Sequence, residues 1–201
     1  MADIPVPPVF EGAEDSEKQG IDMLVHTFHS STDPTIRRYA VYLLGKTGDP
    51  VALGPLTEAL ADPEKVVREQ AMLSLVAMGE TAIGPLVAAM GKDPKWQARY
   101  RAAEALGKLA DEEVVLPLIR GLKDSRDHVR YMAAKGLMGL GDSRAVDPLI
   151  ILLADENRVV RMMSVRALSA IGGDRARVAL EAALAAETDG EVQGIIREAL
   201  E

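Results

Sequence analysis

Arginine recurs every 31 residues along this chain, at Arg37, Arg68, Arg99, Arg130 and Arg161. Each arginine stands in the same frame. A small residue follows three positions later (Ala40, Ala71, Ala102, Ala133, Ser164) and a leucine seven later (Leu44, Leu75, Leu106, Leu137, Leu168). Gly48, Gly79, Ala110, Gly141 or Gly172 comes eleven later. A proline ahead of a leucine comes about eighteen later, at Pro55, Pro85, Pro117 and Pro148; Ala179 takes the place in the last unit. Self-similarity at such a period marks a solenoid, because each unit can bury its apolar face only against its neighbours.

Within a unit the pattern reads as two helices joined by a tight turn. Residues 93–123, DPKWQARYRAAEALGKLADEEVVLPLIRGLK, show it most clearly. The spacing predicts arginine-bearing helices near 34–47, 63–78, 94–109, 125–140 and 156–171, and second helices near 51–61, 81–91, 112–123, 143–154 and 174–186. Asp33-Pro34, Asp62-Pro63 and Asp93-Pro94 read as helix starts, the aspartate capping free N–H groups and the proline taking the first turn. Asp124 and Asp155 are expected to cap the same position without the proline. The closing glycines suit left-handed C-caps. Residues 14–29, with Ile21, Leu24, Val25 and Phe28 on one face, read as an N-terminal capping helix; residues 189–201 read as its C-terminal counterpart. Pro5, Pro7 and Pro8 make residues 1–13 an extended arm. The expected organisation is that arm followed by one domain over 14–201, with its repeats at about 33–186.

The pattern D-P-x-x-V-R-x-A-A-x-A-L-G-x-L-G-D…V-x-P-L-x-x-L resembles the short, phycobilin-lyase-type HEAT repeats. Ordinary HEAT repeats are longer, about 40–47 residues. The resemblance implies an all-α, right-handed α-solenoid of five helical pairs with capping helices. It also implies that the arginines Arg37, Arg68, Arg99, Arg130 and Arg161 form a structural ladder with aspartates of their own or neighbouring units. Relatives of this type include bilin lyases, their chaperones, and a hydroxylase that binds iron through His-Glu pairs. The chain has no His-Glu dipeptide and no cysteine to hold a bilin, so neither chemistry carries over.

Composition narrows the rest. The chain is 48% hydrophobic but 3% aromatic, so alanine and leucine fill the gaps between helices. Absence of cysteine excludes disulfides and thiolate metal sites and fits a reducing, cytoplasmic setting. The N-terminus lacks a signal-peptide pattern, and no apolar run reaches the roughly 18 residues of a membrane span. A net charge of −8 argues against general affinity for nucleic acid.

Function is expected on the surface left free by packing. Positions −1, +3, +4, +7 and +10 from each arginine form the core stripe. Positions −3, −2, +1, +2, +5 and +9 remain, and the HEAT resemblance implies that they line the concave side. All four tyrosines and the single tryptophan fall there. The candidate partner-binding residues are Arg38, Tyr39, Tyr42, Lys65, Trp96, Tyr100, Arg101, Lys108, Tyr131, Met132, Lys135, Arg158, Met162, Met163 and Arg166. Aromatics, methionine and arginine are the residue types enriched in interface cores. With Lys46 this face holds eight basic residues outside the ladder, against Glu69, Glu104 and Asp127. A basic, aromatic groove on an acidic body suits an acidic ligand.

Other motifs carry less. AVYLLGKT at 40–47 fits a relaxed phosphate-loop pattern, but its intervening residues belong to a helix core rather than a glycine-rich turn after a strand. His26 and His29 share a helix face, with only Asp33 as a third metal-ligand candidate. Ile151 is a lone apolar residue on a second helix. No catalytic constellation, metal site or cofactor is expected. The reading is a monomeric, non-enzymatic interaction module or scaffold that binds an acidic protein segment. Nucleic-acid binding through the basic face, and a lyase- or chaperone-type subunit acting on a modified protein, are the alternatives.

Overall fold

A computed structural model describes residues 13–201. The expected extended arm lies outside them except for Ala13, which opens the first helix. Twelve α-helices follow: α1 (Ala13–Ser30), α2 (Pro34–Thr47), α3 (Leu53–Ala59), α4 (Lys65–Ala77), α5 (Ile83–Lys92), α6 (Trp96–Leu109), α7 (Val115–Gly121), α8 (Asp127–Leu140), α9 (Val146–Ile151), α10 (Arg158–Ile171), α11 (Asp174–Ala186) and α12 (Gly190–Leu200). The described residues contain no strand. α2, α4, α6, α8, α10 and α12 stack on one another as one layer. The second helices of the units form the other, each packed on the next arginine helix, so the fold is an α-solenoid. α1 packs on α2, and α12 on α10 and α11.

Local chemistry accounts for the alternation. Gly48, Gly79 and Gly141 leave their helices at φ 67°, a left-handed turn open to glycine at no steric cost. Ala110 makes the same turn at φ 54°. Next, Asp49, Asp111 and Asp142 accept the N–H two residues ahead and start a 3-10 turn that leads into α3, α7 or α9. Pro55, Pro85, Pro117 and Pro148 each stand third in their α-helix, where the missing N–H has no intrahelical acceptor to lose.

All five arginine helices begin three residues before their arginine, at Pro34, Lys65, Trp96, Asp127 and Arg158. This corrects the expected starts near 63, 94, 125 and 156. The Asp33-Pro34 pair sits two residues later in the frame than Asp62-Pro63 and Asp93-Pro94. Only Asp33 is therefore an N-cap, accepting from Thr35 N–H at 2.7 Å. Asp62, Asp93, Asp124 and Asp155 close a turn just before the helix, each accepting the N–H two residues on at 2.8 Å.

The core is a double column of leucines. Leu44, Leu75, Leu106, Leu137 and Leu168 from the arginine helices, and Leu56, Leu86, Leu118 and Leu149 from the second helices, are fully buried. Between α6 and α8 the backbones come close, because Gly107 and Gly136 face each other: a Cβ on Gly107 would stand 2.8 Å from the Gly136 Cα.

The arginine ladder ties consecutive units together. Arg37 donates through Nε and Nη2 to Asp62 (2.8 and 3.0 Å), Arg99 to Asp124 (2.7 and 2.9 Å), and Arg130 to Asp155 (2.8 and 2.9 Å). Arg161 reaches Glu187 in the same way (2.8 and 3.3 Å). Nη1 of each arginine also donates to two carbonyls of the preceding loop, as Arg99 does to Asp93 and Pro94. Four rungs are closed. Arg68 keeps only the loop bonds, to Asp62 and Pro63 carbonyls at 2.7 Å each.

Burial pushes the Asp124 carboxyl upward, but the Arg99 fork, the Arg126 N–H and the nearby cations outweigh it and hold it below the usual range. Glu187 is held low against burial by the Asp189 N–H and Arg161. A carboxylate depressed in the folded state contributes stability above its unfolded value, about 4, and loses it as pH falls through the lower folded value. The urea midpoint is therefore expected to stay level from pH 7 to pH 5 and to drop by pH 3. A drop already complete at pH 5 would show that Asp124 and Glu187 are not held low.

Candidate partner-binding face

The exposed side of the arginine helices gathers the aromatic residues into two groups. The larger centres on Trp96, the first residue of α6. Its ring centroid lies 5.0 Å from that of His128 and 6.5 Å from Tyr100, the latter edge-on at 80°. The Arg126 guanidinium stands 5.2 Å over the indole, and that of Arg101 5.4 Å over the Tyr100 ring. Cations at such distances are attracted by the negative ring face. Two adjoining clefts share Tyr100 and His128. One, of about 210 Å³, also holds Lys65, Arg68, Trp96, Gln97 and Arg101. The other, of about 380 Å³, is lined further by Asp127, Tyr131, Asn157, Val159 and Val160. Burial raises the Tyr100 phenol above its ordinary value, with the charge of Glu104 adding to the shift and that of Arg101 opposing it.

Tyr100, Tyr131 and Met162 occupy the same frame position in consecutive helices and form a half-buried row against the core. The second aromatic group lies at the other end. Tyr39 and Tyr42 meet edge-on at 6.3 Å, with Lys46 5.5 Å over Tyr42 and Arg38 and Gln70 beside them. The sequence frame does not separate these two groups.

Three expected face residues belong inside. Met132 (5% exposed), Met163 (4%) and Arg101 (9%) occupy position +2 and are buried. In units three to five, position +2 turns toward the preceding arginine helix and is covered by it. Tyr39, at the same position, stays 58% exposed because no arginine-type helix precedes α2 among the described residues. Position +6 (Ser74, Ala105, Gly136, Ala167) is buried for the same reason, although the core stripe read from the sequence omits it.

Charge is redistributed too. Arg101 is bound by Glu69 at 2.9 Å and Glu104 at 2.6 Å. Arg158 pairs with Glu191 at 3.0 Å, and Lys65 with Glu69 at 3.6 Å. Arg38, Lys108, Lys135 and Arg166 are exposed without an ion pair among the described residues. Sequence reasoning missed Arg126 and Arg68. Arg126 lies just outside the helical frame, and Arg68 looks like any other ladder arginine until its carboxylate is sought.

Residues 40–47 are helical in α2. His29 Nε2 lies 3.1 Å from Glu58, His26 is exposed, and the described residues hold no cluster of three or more potential metal ligands. Ile151 is 69% exposed. No described helix is long and apolar enough to cross a membrane.

Among solved structures, the chain is similar to one chain in the structure of the complex of CpcE and CpcF of phycocyanin lyase from Nostoc sp., with 22% identity, a TM-score of 0.69, and coverage of 76% of this chain and 100% of that chain. It is similar to human deoxyhypusine hydroxylase at 27% identity and a TM-score of 0.53, covering 91% of this chain and 73% of the other. A designed armadillo repeat protein in complex with the peptide (KR)4 shares 20% identity at a TM-score of 0.56, over 90% of this chain and 99% of the design. A search of curated proteins returned no match. The family model for HEAT repeats matches three overlapping stretches, 21–96, 83–158 and 117–201. Together these span all twelve helices but the first part of α1, and the chain belongs to the HEAT-repeat family.

Proposed function

We propose that the chain is a non-enzymatic protein-interaction module, a monomer whose arginine-helix face is the concave side of the solenoid and grips an acidic segment of another protein. The observation that carries this reading is the Trp96 cluster. A tryptophan, two tyrosines and a histidine border two connected clefts, with cations stacked on the rings. Rigid aromatics beside unpaired cations are the usual anchors of an interface, and an acidic segment meets both demands. The unpaired Lys108, Lys135 and Arg166 extend the positive surface along the stack. The similarity to a two-component lyase complex and to a peptide-bound armadillo design supports a binding scaffold at the level of fold.

Affinity capture from nuclease-treated lysate tests it, with the wild type beside the Trp96→Ala/Tyr100→Ala double variant. A discrete protein is expected to bind the wild type, and its recovery to fall at least about tenfold with the double variant, since two aromatic anchors are removed. Far-UV helicity should be unchanged. Recovery equal in both lanes would sink the face assignment. Material retained only when nuclease is omitted would point to nucleic acid instead.

A further inference from the structure

The ladder has one open rung, and the chain geometry explains it. In units one, three and four the second helix ends in a tight 3-10 turn: Asp62, Asp124 and Asp155 donate their N–H to the carbonyl three residues back. In units two and five the corresponding segment stays α-helical to its end. There Asp93 and Glu187 donate to the carbonyl four residues back. The α ending follows from one additional residue after the leucine of the Pro-Leu position: Leu86 to Asp93 and Leu180 to Glu187 are seven apart, against six from Leu56 to Asp62. This displaces the carboxyl group from the arginine. Glu187 has one more methylene and still reaches Arg161. Asp93 does not, and the Nε and Nη2 edge of Arg68 has no acceptor among the described residues. Among the described residues no buried side-chain nitrogen lacks a partner, so that edge reaches solvent.

Arg68 lies on the wall of the cleft that holds Trp96, Tyr100 and Lys65. The lining of that cleft includes no acidic residue, and Glu69, next in sequence to Arg68, is held by Arg101 and Lys65. Lys95 adds a further cation, its Nζ donating to the Ala61 carbonyl at 2.9 Å. The planar guanidinium fork binds a carboxylate bidentately wherever the ladder supplies one, and its geometry suits that group above others.

We propose that the open Arg68 fork is a ligand site, in which a carboxylate side chain of the bound segment completes the rung that Asp93 leaves unfilled. This deepens the proposed acidic-segment reading and rests on it. It makes a distinctive prediction: closing the rung from within should abolish the site. Asp93→Glu supplies the methylene that Glu187 has, so it is expected to raise the melting temperature and to weaken carboxylate binding at least about tenfold. Arg68→Gln should weaken binding as much without raising stability.

Trp96 is the chain's one tryptophan and lies in the same cleft, so its fluorescence reports binding directly. The probes are acetyl-tetraglutamate amide, acetyl-tetraglutamine amide, and acetyl-tetraglutamine with a free C-terminal carboxylate. The wild type is expected to bind the first, with the two variants reduced; binding of the third would assign the site to a chain terminus rather than a side chain and overturn that part of the proposal. Undiminished binding of tetraglutamate by both variants would overturn the Arg68 site while leaving the acidic-segment reading standing. Failure of the wild type to bind tetraglutamate would overturn both.

Discussion

Arg99→Ala is expected to lower the unfolding free energy by about 3 kcal/mol. The Arg99 and Asp124 side chains are only 13% and 11% exposed, and their two hydrogen bonds are short and parallel. Removing the arginine leaves a largely desolvated carboxylate without its counter-charge, and that penalty is the large part of the effect. It also frees the Asp93 and Pro94 carbonyls that Nη1 holds. Because a solenoid is stabilised through nearest-neighbour interfaces, the loss should fall on the coupling between units three and four, and the denaturation curve should broaden as well as shift. Arg68→Ala is the internal control. Arg68 makes the same loop bonds but closes no rung, so the cost should be about 1 kcal/mol, the worth of charge-assisted bonds to carbonyls. Equal costs at the two positions, measured by urea unfolding, would mean that the ladder pairs contribute little beyond their loop contacts.

Alanine in place of glycine should have opposite signs at two positions of neighbouring helices. At Gly107 the new Cβ would stand 2.8 Å from the Gly136 Cα. That atom is backbone and cannot rotate aside, so α6 and α8 must separate along the seam where Gly107 and Gly136 meet. Overpacking of this kind costs about 1–3 kcal/mol, against a helix-propensity gain of about 1 kcal/mol. A net loss of about 1 kcal/mol is expected. At Gly139 a Cβ meets nothing within 4 Å, and the residue is helical. Gly139→Ala should therefore stabilise by about 0.5 kcal/mol, less than the full propensity term because it lies next to the helix end. Thermal unfolding of the two variants side by side decides the matter. A stabilised Gly107→Ala would mean that the helices slide apart without loss of packing.

The five-arginine frame made the repeat, its two helices and the ladder legible before any coordinates. A register shared five times can be satisfied only by units that bury the same leucine face, and four of its five arginines also reach a carboxylate across units. The frame failed where it treated unlike things as alike. Asp33-Pro34 matches Asp62-Pro63 in letters but sits two residues later, so helix starts inferred from the motif were misplaced. Position +2 is a surface position on an isolated helix, and only the preceding helix in the stack buries Arg101, Met132 and Met163. The aromatic composition of the face was plain in the sequence. Its division into a Trp96 group and a Tyr39 group depends on where each helix lies in the stack.

The sequence by itself determined an α-solenoid and its leucine core, because a periodicity of 31 residues dictates which faces must be buried; its resemblance to HEAT repeats implied the arginine ladder. Only the tertiary structure decided which cations are free. Pairing depends on reach across units to within an ångström: one residue more in a second helix, and one methylene fewer in Asp93 than in Glu187, separate an open guanidinium from a closed rung. Such a difference leaves the repeat pattern unchanged, and so it is visible only once neighbouring units are docked.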